Sequence, residues 1–269
     1  MTRRKLREMK KNQNVIIIRS LIIISFILLW EWAASTGRVS MFYTSKPSLI
    51  LKDLVQFTVS GDLAKHASVT LKEAFVGLFY GSIIGVSVGL LFGQFTTLGK
   101  IFKPMITAIH GIPQLTLAPV YILWFGIGYA SKIFLAGLMV FFNVFFATYN
   151  AILDMEQKLV ESASLLGANK FQILMHVVLP TCTPWIIMGI RTGLGSCLVG
   201  AIVGEYMGAS AGFGWMVAYA TSYFNIKRVM SCVIILLLVG LGLNYVLDKV
   251  EKLLLKWRPD INLSIGEKN

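Results

Sequence analysis

The stretch AFVGLFYGSIIGVSVGLLFGQF, residues 74–95, decides the fold class of this chain. It contains no charged side chain, and it is long enough to cross a membrane as a helix, which takes about 20 mostly apolar residues. Glycine recurs in it every four residues, at Gly77, Gly81, Gly85, Gly89 and Gly93. Positions four apart lie one above another on a helix, where glycine lets a second backbone approach closely. The stretch therefore predicts a transmembrane helix packed tightly against a neighbour.

The composition extends this interpretation to the whole chain. Of its 269 residues, 56% are apolar and 14% are charged, whereas a soluble domain carries roughly 25% charged residues. These values exclude an ordinary soluble protein. The net charge of +12 is spread over the flanks of the apolar segments and forms no single patch, so no nucleic-acid partner is expected. The three cysteines lie far apart in apolar segments, which argues against a disulfide framework or a zinc site.

Six segments are apolar enough and long enough to span a membrane. They are residues 15–34, 74–95, 105–125, 133–151, 184–204 and 229–247. The sequence therefore predicts an all-α integral membrane protein with six transmembrane helices, as a single transmembrane domain over residues 1–269. The first segment follows a basic leader and also resembles a secretory signal, with a cleavage region at residues 33–35. A retained helix is the preferred interpretation because five further spans follow.

The distribution of Lys and Arg predicts the orientation, since cytoplasmic loops carry an excess of these residues. With the N-terminus inside, 15 of the 25 lie in the inner segments and six in the outer ones, while Lys72 and Lys132 lie at helix ends and Arg19 and Arg191 lie within helices. We therefore expect a multi-pass protein of the cytoplasmic (inner) membrane with both termini in the cytoplasm.

Two long connections separate the spans. In the outer one, residues 35–73, apolar residues recur at helical spacing within residues 47–59, a pattern that fits a short interfacial helix or an ordinary loop. The inner one, residues 152–183, mixes charged residues with apolar residues at helical spacing, and Pro180 and Pro184 are expected to close it. It predicts a cytoplasmic helical element whose apolar face needs lipid headgroups or a protein partner as a cover.

Polar residues within the spans are candidates for the wall of a transport pathway. Pro113 and Pro119 remove two backbone donors from the third span, so its helix must bend or break there. Irregular backbone at membrane depth is either covered by protein or lines a cavity. The candidate pathway residues are Gln114, Thr116, Asn143, Arg191 and Glu205.

Arg191 and Glu205 are the most informative charges in the spans, because an ionisable side chain in the membrane is costly. They are 14 residues apart, which separates them by about 21 Å along a helix. They therefore cannot pair with each other. Arg191 fits either the attraction of an anionic solute or a structural ion pair.

Enzymatic patterns are weak in this chain. His66, His110 and His176 are far apart in sequence and resemble ordinary polar side chains more than metal ligands. The pattern G-x-S-x-G occurs around Ser87 and Ser210, but neither serine follows a predicted strand, as a nucleophile elbow must. We therefore predict no catalytic residue, no metal site and no cofactor, and we expect ATP hydrolysis, if coupled to this chain, on a separate subunit.

The inner connection carries a specific family resemblance. Glu161-Ser162-Ala163, followed by Gly167-Ala168 and then by Leu179-Pro180, resembles the E-A-A…G…LP loop of permease subunits of ATP-binding cassette importers with the type I fold. Ser162 departs from the usual alanine.

Other motifs resemble the branch of that family that handles nitrate, sulfonates and taurine. They are PQLTLAP at 113–119, LWFGIG at 123–128, Ser131-Lys132, GIR at 189–191, and Glu205. Tyr129-Ala130 stands where this branch often has an acidic residue.

The resemblance implies the type I permease fold and a coupling role for the inner connection. Five residues there are implied to couple the permease to an ATPase subunit: Glu161, Ala163, Gly167, Leu179 and Pro180. The implied partners are a dimer of ATP-binding cassette ATPase subunits, a second copy of this permease as a homodimer, an extracytoplasmic solute-binding protein and membrane lipid.

The implied function is the import of a small solute, which is a sulfonate, taurine or a nitrate-like anion, driven by ATP hydrolysis on the partner. A thiamine pyrimidine precursor is an alternative solute for the same type of permease. An ATP-independent secondary transporter is a further alternative, although no inverted repeat is evident in the sequence.

Overall fold

The computed structural model describes residues 3–255, with side chains from Val15 onward, and these residues form helices without a strand. The helices are α1 (Arg3–Ser35), α2 (Met41–Thr44), α3 (Pro47–Val59), α4 (Asp62–Gln94), α5 (Thr96–His110), α6 (Ala118–Phe125), α7 (Tyr129–Leu153), α8 (Gln157–Leu165), α9 (Lys170–Ile173), α10 (Leu179–Gly208), α11 (Phe213–Ser222) and α12 (Ile226–Leu254). A 3₁₀ turn at Gln114–Leu117 precedes α6, and a π-helical turn at Leu174–Val178 joins α9 to α10. The all-α fold class is confirmed.

Five helical stretches of the described chain are long and apolar enough to cross a membrane, and a bent pair makes a sixth. That pair joins α5 to the segment Gln114–Phe125 at an angle of 75°. Pro113 lies at the break, where it cannot donate a backbone hydrogen bond. The predicted break in the third span is therefore confirmed, and this span consists of two helices.

The fifth span differs from its predicted start at residue 184. The helical stretch runs over Lys170–Gly208, and Pro184 lies inside α10, so the expectation that Pro184 closes the inner connection is wrong. Proline is tolerated inside membrane helices where other groups satisfy the freed carbonyls. The Thr183 hydroxyl donates to the Leu179 carbonyl at 2.7 Å, next to the Pro180 carbonyl that Pro184 leaves without its helical donor, and a π-helical turn lies directly before α10.

The chain divides into two compact units. The first contains the residues up to Ala64 together with Met216–Ile235. Of the two alternatives for residues 47–59, a helix or an ordinary loop, the structure shows the helix α3, with Ile50, Asp53 and Phe57 buried on one face. Arg228 of α12 donates to the Asp53 carboxylate at 2.9 and 3.2 Å, and its guanidinium lies 4.1 Å from the centre of the Phe57 ring. A buried ion pair therefore fixes α3 to the start of α12.

The second unit contains Lys65–Trp215 and the residues from Leu236 onward. Its core lies between α4, α7 and α10, where eight buried residues form one apolar cluster: Ala74, Ala136, Val140, Val144, Leu194, Cys197, Leu198 and Ala201. Glycines allow both α4 and α10 to pack closely against α7. A Cβ atom at Gly77 of α4 would lie 2.7 Å from the Ala136 Cβ, and one at Gly189 of α10 would lie 2.7 Å from the Ala147 Cβ. Real Cβ atoms do not approach so closely, so α7 is held between two glycine-lined helices.

We expect Gly81→Ala to destabilise the protein, since the new Cβ would collide with the Gly137 carbonyl oxygen and lie 2.8 Å from the Val140 Cβ. Overpacking of this kind costs about 1–3 kcal/mol. Gly240→Ala on α12 is the matched control, because the position that its new methyl group would occupy is open space. The melting temperatures of the detergent-purified variants, monitored by size-exclusion chromatography, measure the difference in stability. Equal melting temperatures for the two variants would contradict the tight packing of α4 on α7.

Candidate functional site

The inner connection folds into a helical hairpin with a defined turn. At the end of α8, the Gly167 amide donates to the Ser164 carbonyl at 3.0 Å and the Ala168 amide donates to the Ala163 carbonyl at 3.1 Å. These two bonds, with Gly167 at φ +86°, form a Schellman motif. Glycine suits this left-handed conformation, which costs other residues about 1–2 kcal/mol. Ala163 and Gly167 thus terminate α8.

A capping box fixes the start of α9 directly after this turn. The Gln172 amide donates to the Asn169 side chain at 2.9 Å, and the Asn169 amide donates to the Gln172 side chain at 2.8 Å. The two caps satisfy backbone groups at the end of α8 and at the start of α9 with residues of the hairpin itself. The turn between α8 and α9 is therefore formed before any partner binds.

The tip of this hairpin exposes large apolar side chains. Leu165 and Leu166 are 88% and 89% exposed, and Phe171 is 66% exposed. Glu161 is exposed on α8. The base of the hairpin is instead packed in a cluster of buried residues, Ala151, Val178 and Cys182, with Ile173 and Leu174 against it. The hairpin thus has an anchored base and an apolar tip.

Leu179 and Pro180 lie in the first turn of α10, directly after the π-helical turn. Leu179 is half-buried and Pro180 is exposed. Proline is favoured in the first turn of a helix because the amide there needs no helical partner. The structure thus places all five predicted coupling residues within the hairpin or at its junction with α10.

The candidate pathway residues do not form one site. Gln114 is buried and spans the break after α5, where its amide nitrogen donates to the carbonyls of Ile109 and Ile112 at 2.8 and 3.0 Å. The Thr116 hydroxyl donates to the Pro113 carbonyl at 2.7 Å. Both side chains thus bind main-chain carbonyls at the break between α5 and α6.

Asn143 and Arg191 each join two helices. The Asn143 amide nitrogen of α7 donates to the Ser196 hydroxyl of α10 at 2.9 Å. Arg191 of α10 forms ion pairs with Asp248, at 2.6 Å, and with Glu251, both on α12. Of the two interpretations of Arg191, the structure therefore shows the structural ion pair.

Glu205 lies in a buried polar cluster at the opposite end of α10 from the hairpin. Its carboxylate is 0% exposed and accepts from the Thr70 hydroxyl and from the Gly214 amide, both at 2.7 Å. The Thr70 oxygen also accepts from the Phe213 amide at 2.9 Å, and the His66 Nδ1 accepts from the Gly212 amide at 3.0 Å. Three successive amides at the start of α11 are thus bound by side chains of α4 and α10.

Two glycines permit this arrangement. Gly212 has φ +107°, and a Cβ there would overlap the Glu205 carboxylate. A Cβ at Gly214 would lie 2.8 Å from the Glu205 Cβ. These positions therefore need glycine for the backbone to reach Glu205.

Two further charged groups complete the cluster. Lys132 is 1% exposed, and its ammonium donates to the carbonyls of Ile127, Gly128 and Gly208. Glu73 is 2% exposed, and its Oε2 atom has no hydrogen-bond partner. Glu73 and Glu205 are the ionisable neighbours of Lys132.

The sequence analysis found Glu205 but missed its partners. Lys132 looked like a helix-end lysine, and His66 looked like an ordinary polar residue. One signal was present: His66, Thr70 and Glu73 follow helical spacing and continue the glycine stripe of α4 toward its N-terminus.

Comparison with known proteins decides the family. Residues 81–257 match the family described as "Binding-protein-dependent transport system inner membrane component". The chain belongs to this family. It is 32% identical to the "Putative aliphatic sulfonates transport permease protein SsuC" of Bacillus subtilis (strain 168) over 86% of this chain and 84% of that protein. It is 30% identical to the "Riboflavin transport system permease protein RibX" of Chloroflexus aurantiacus over 86% of each chain.

A solved structure shows the same fold. The MetNI methionine ABC transporter, in an inward-facing conformation, aligns with a TM-score of 0.66 at 19% identity, over 73% of this chain and 98% of that chain. The predicted type I importer permease fold and the family resemblance are confirmed. The chain is a multi-pass membrane permease subunit and is not itself an enzyme, since the family is one of transport components.

We expect Lys132→Met to destabilise the protein strongly, because it leaves three carbonyls and two buried carboxyl groups without their cation. Removing one partner of a buried charged group costs about 3–5 kcal/mol. Lys72→Met is the matched control, since Lys72 is exposed on α4. Purified yield and melting temperature in detergent measure the effect. A stable Lys132→Met variant would show that the ammonium does not hold this cluster together.

Proposed function

We propose that this chain is the permease subunit of an importer that moves a small sulfonate, taurine or a nitrate-like anion into the cytoplasm, using ATP hydrolysis on a partner subunit. The observation that carries the proposal is the hairpin of residues 152–183. Its turn is fixed by its own caps, its base is anchored in the core, and its tip exposes Leu165 and Leu166. We name this hairpin the coupling segment.

An apolar tip on a polar loop favours a protein partner. Exposed apolar side chains gain about 25 cal/mol for each Å² that a partner buries. A preformed turn reduces the entropy lost on docking. In this proposal Glu161, Ala163 and Gly167 shape the surface that enters a groove on the ATPase subunit, while Leu179 and Pro180 join it to α10. Movement of the hairpin passes to this span because α9 and the π-helical turn continue directly into α10.

The full assembly in this proposal contains two copies of this permease, two ATPase subunits and an external solute-binding protein. The coupling segment lies on the cytoplasmic side, and both chain termini lie on that side as well. The excess of Lys and Arg in the inner segments supports this orientation.

The solute class rests on the named relatives. Two of them carry the name of an aliphatic sulfonate permease, at 32% identity in Bacillus subtilis and 28% in Escherichia coli. The pairing of Arg191 with Asp248 and Glu251 supports a structural role for its charge. We therefore assign most of the solute specificity to the external binding protein.

A second solute class has an observation in its favour. The relative named as a riboflavin permease is 30% identical, which supports a heterocyclic vitamin or a thiamine pyrimidine precursor as the alternative cargo. Uptake of labelled taurine, nitrate and a hydroxymethylpyrimidine by the reconstituted complex with its binding protein separates these classes.

We expect Gly167→Val to abolish the docking of the ATPase subunit, because valine at φ +86° distorts the turn between α8 and α9. Gly61→Val is the matched control: Gly61 has φ +81° and open space around it, but it lies outside the coupling segment. The two variants carry a similar backbone strain of about 1–3 kcal/mol. Co-purification of the ATPase subunit in mild detergent, and ATP-driven uptake in proteoliposomes, measure the outcome.

Two outcomes contradict the proposal. If Gly167→Val retains the ATPase subunit and transports as well as Gly61→Val, the hairpin is not the coupling segment. If the native chain moves solute in vesicles without any ATPase subunit, the chain is an autonomous secondary transporter.

A further inference from the structure

The start of α11 is held by side chains from two other helices. His66 and Thr70 of α4 and Glu205 of α10 accept the amides of Gly212, Phe213 and Gly214. An isolated helix would cap these amides with its own N-terminal residues or with water. We name these three side chains, with the three amides that they bind, the α11 latch.

Every bond of the latch is buried. His66, Thr70 and Glu205 are 2%, 1% and 0% exposed. Buried hydrogen bonds to a carboxylate are short and strong, and breaking one leaves an unsatisfied group in a dry environment. The latch therefore joins residues 212–214 firmly to α4 and α10, so that these residues follow any movement of the two helices.

The latch and the coupling segment lie at opposite ends of the same pair of helices. α7 ends at Leu153, where the coupling segment begins, and Lys132 in its first turn binds the Gly208 carbonyl at the end of α10. α10 begins at Leu179, within the last residues of the coupling segment, and carries Glu205 in its last turn. The 25 residues of α7 separate the two ends by about 38 Å.

The helices between these two ends pack too closely to slide past one another. A Cβ at Gly200 of α10 would lie 3.0 Å from the Ala136 Cα, and one at Gly89 of α4 would lie 2.7 Å from the Thr148 Cβ. Packed interiors of this density transmit displacement instead of absorbing it. A push on the coupling segment therefore reaches Glu205 through α7 and α10.

We propose that the α11 latch transmits the movement of the coupling segment to residues 209–214 and the start of α11, so that nucleotide binding on the ATPase subunit repositions this loop at the far end of the permease. This inference rests on the proposed function. His66, Thr70 and Glu205 act as positioning residues, since they move the loop and do not touch the solute. Gly212 and Gly214 contribute to the latch because, without a Cβ, they leave room for the Glu205 side chain.

The experiment uses the purified complex of the permease with its co-purifying ATPase subunit. Ser210→Cys introduces a reactive thiol at an exposed position of the loop, whereas the three native cysteines are buried. The rate at which a maleimide labels this thiol is measured without nucleotide and with ATP plus vanadate. In the Ser210→Cys protein we expect nucleotide to change the rate by about fivefold or more, the usual lower range of coupling between distant sites.

The latch is then broken in this background by Thr70→Val, which keeps the shape and removes the hydroxyl that binds Glu205 and Phe213. We expect the nucleotide effect on labelling to vanish while ATP hydrolysis continues. Thr70→Ser restores the hydroxyl and is expected to restore the nucleotide effect. Thr148→Val is the matched control, because Thr148 is also fully buried on α7 but its hydroxyl has no hydrogen-bond partner.

Three results overturn the inference. The first is a Thr70→Val protein that retains the full nucleotide effect. The second is a Ser210→Cys protein that shows no nucleotide effect although its ATPase subunit is bound and active. The third is loss of ATP hydrolysis, assembly and thermal stability in parallel in Thr70→Val and not in Thr148→Val, which assigns the latch a purely structural role. Failure of the proposed function gives a different result, since no ATPase subunit then co-purifies with the native chain.

Discussion

The close approach of α4 and α10 to α7 is the constraint on which the rest of the second unit depends. Lipid chains are as apolar as leucine, so helices in a membrane gain little from hiding apolar surface and associate through close packing and polar contacts. Glycines at four-residue spacing on α4 and along α10 remove the side chains that would keep the backbones apart. The consequence is a slab of three helices whose ends can carry polar groups at fixed positions.

The rigid packing of these three helices allows charged side chains in an apolar medium, because it keeps the partners of each charge in place. The Lys132 ammonium donates hydrogen bonds to three carbonyl oxygens, which lie in the loop before α7 and at the end of α10. Arg191 forms ion pairs with two carboxylates of α12. Both cations would cost several kcal/mol if left unpaired at these depths. Each therefore marks a place where two elements are fixed to one another.

The sequence predicted those features that depend on neighbours along the chain. The glycine period of α4 and the break at Pro113 follow from local rules of spacing and backbone chemistry. The family motifs singled out the hairpin of residues 152–183, and its turn is a Schellman motif followed by a capping box.

What the sequence did not show depends on contacts between distant residues. Thr70 and Glu205 are 135 positions apart and meet only once α4 and α10 both lie against α7. Lys132 resembled a helix-end lysine because its three acceptors are main-chain carbonyls, which leave no mark in the sequence. Pro184 was misjudged for a different reason, since proline commonly ends a helix, whereas α10 continues through this residue.

The same contacts bear on where solute is recognised. Five polar residues of the spans were candidates for the pathway, and within the described chain each has a structural partner: Gln114 and Thr116 at the break, Asn143 with Ser196, Arg191 with α12, and Glu205 with the start of α11. A hydrogen-bonding site that rejects wrong solutes needs polar groups that are unsatisfied until the right solute arrives. These five groups do not meet that requirement. The commitment of these five side chains to the permease's own helices agrees with the proposal that another component supplies the surface that selects the cargo.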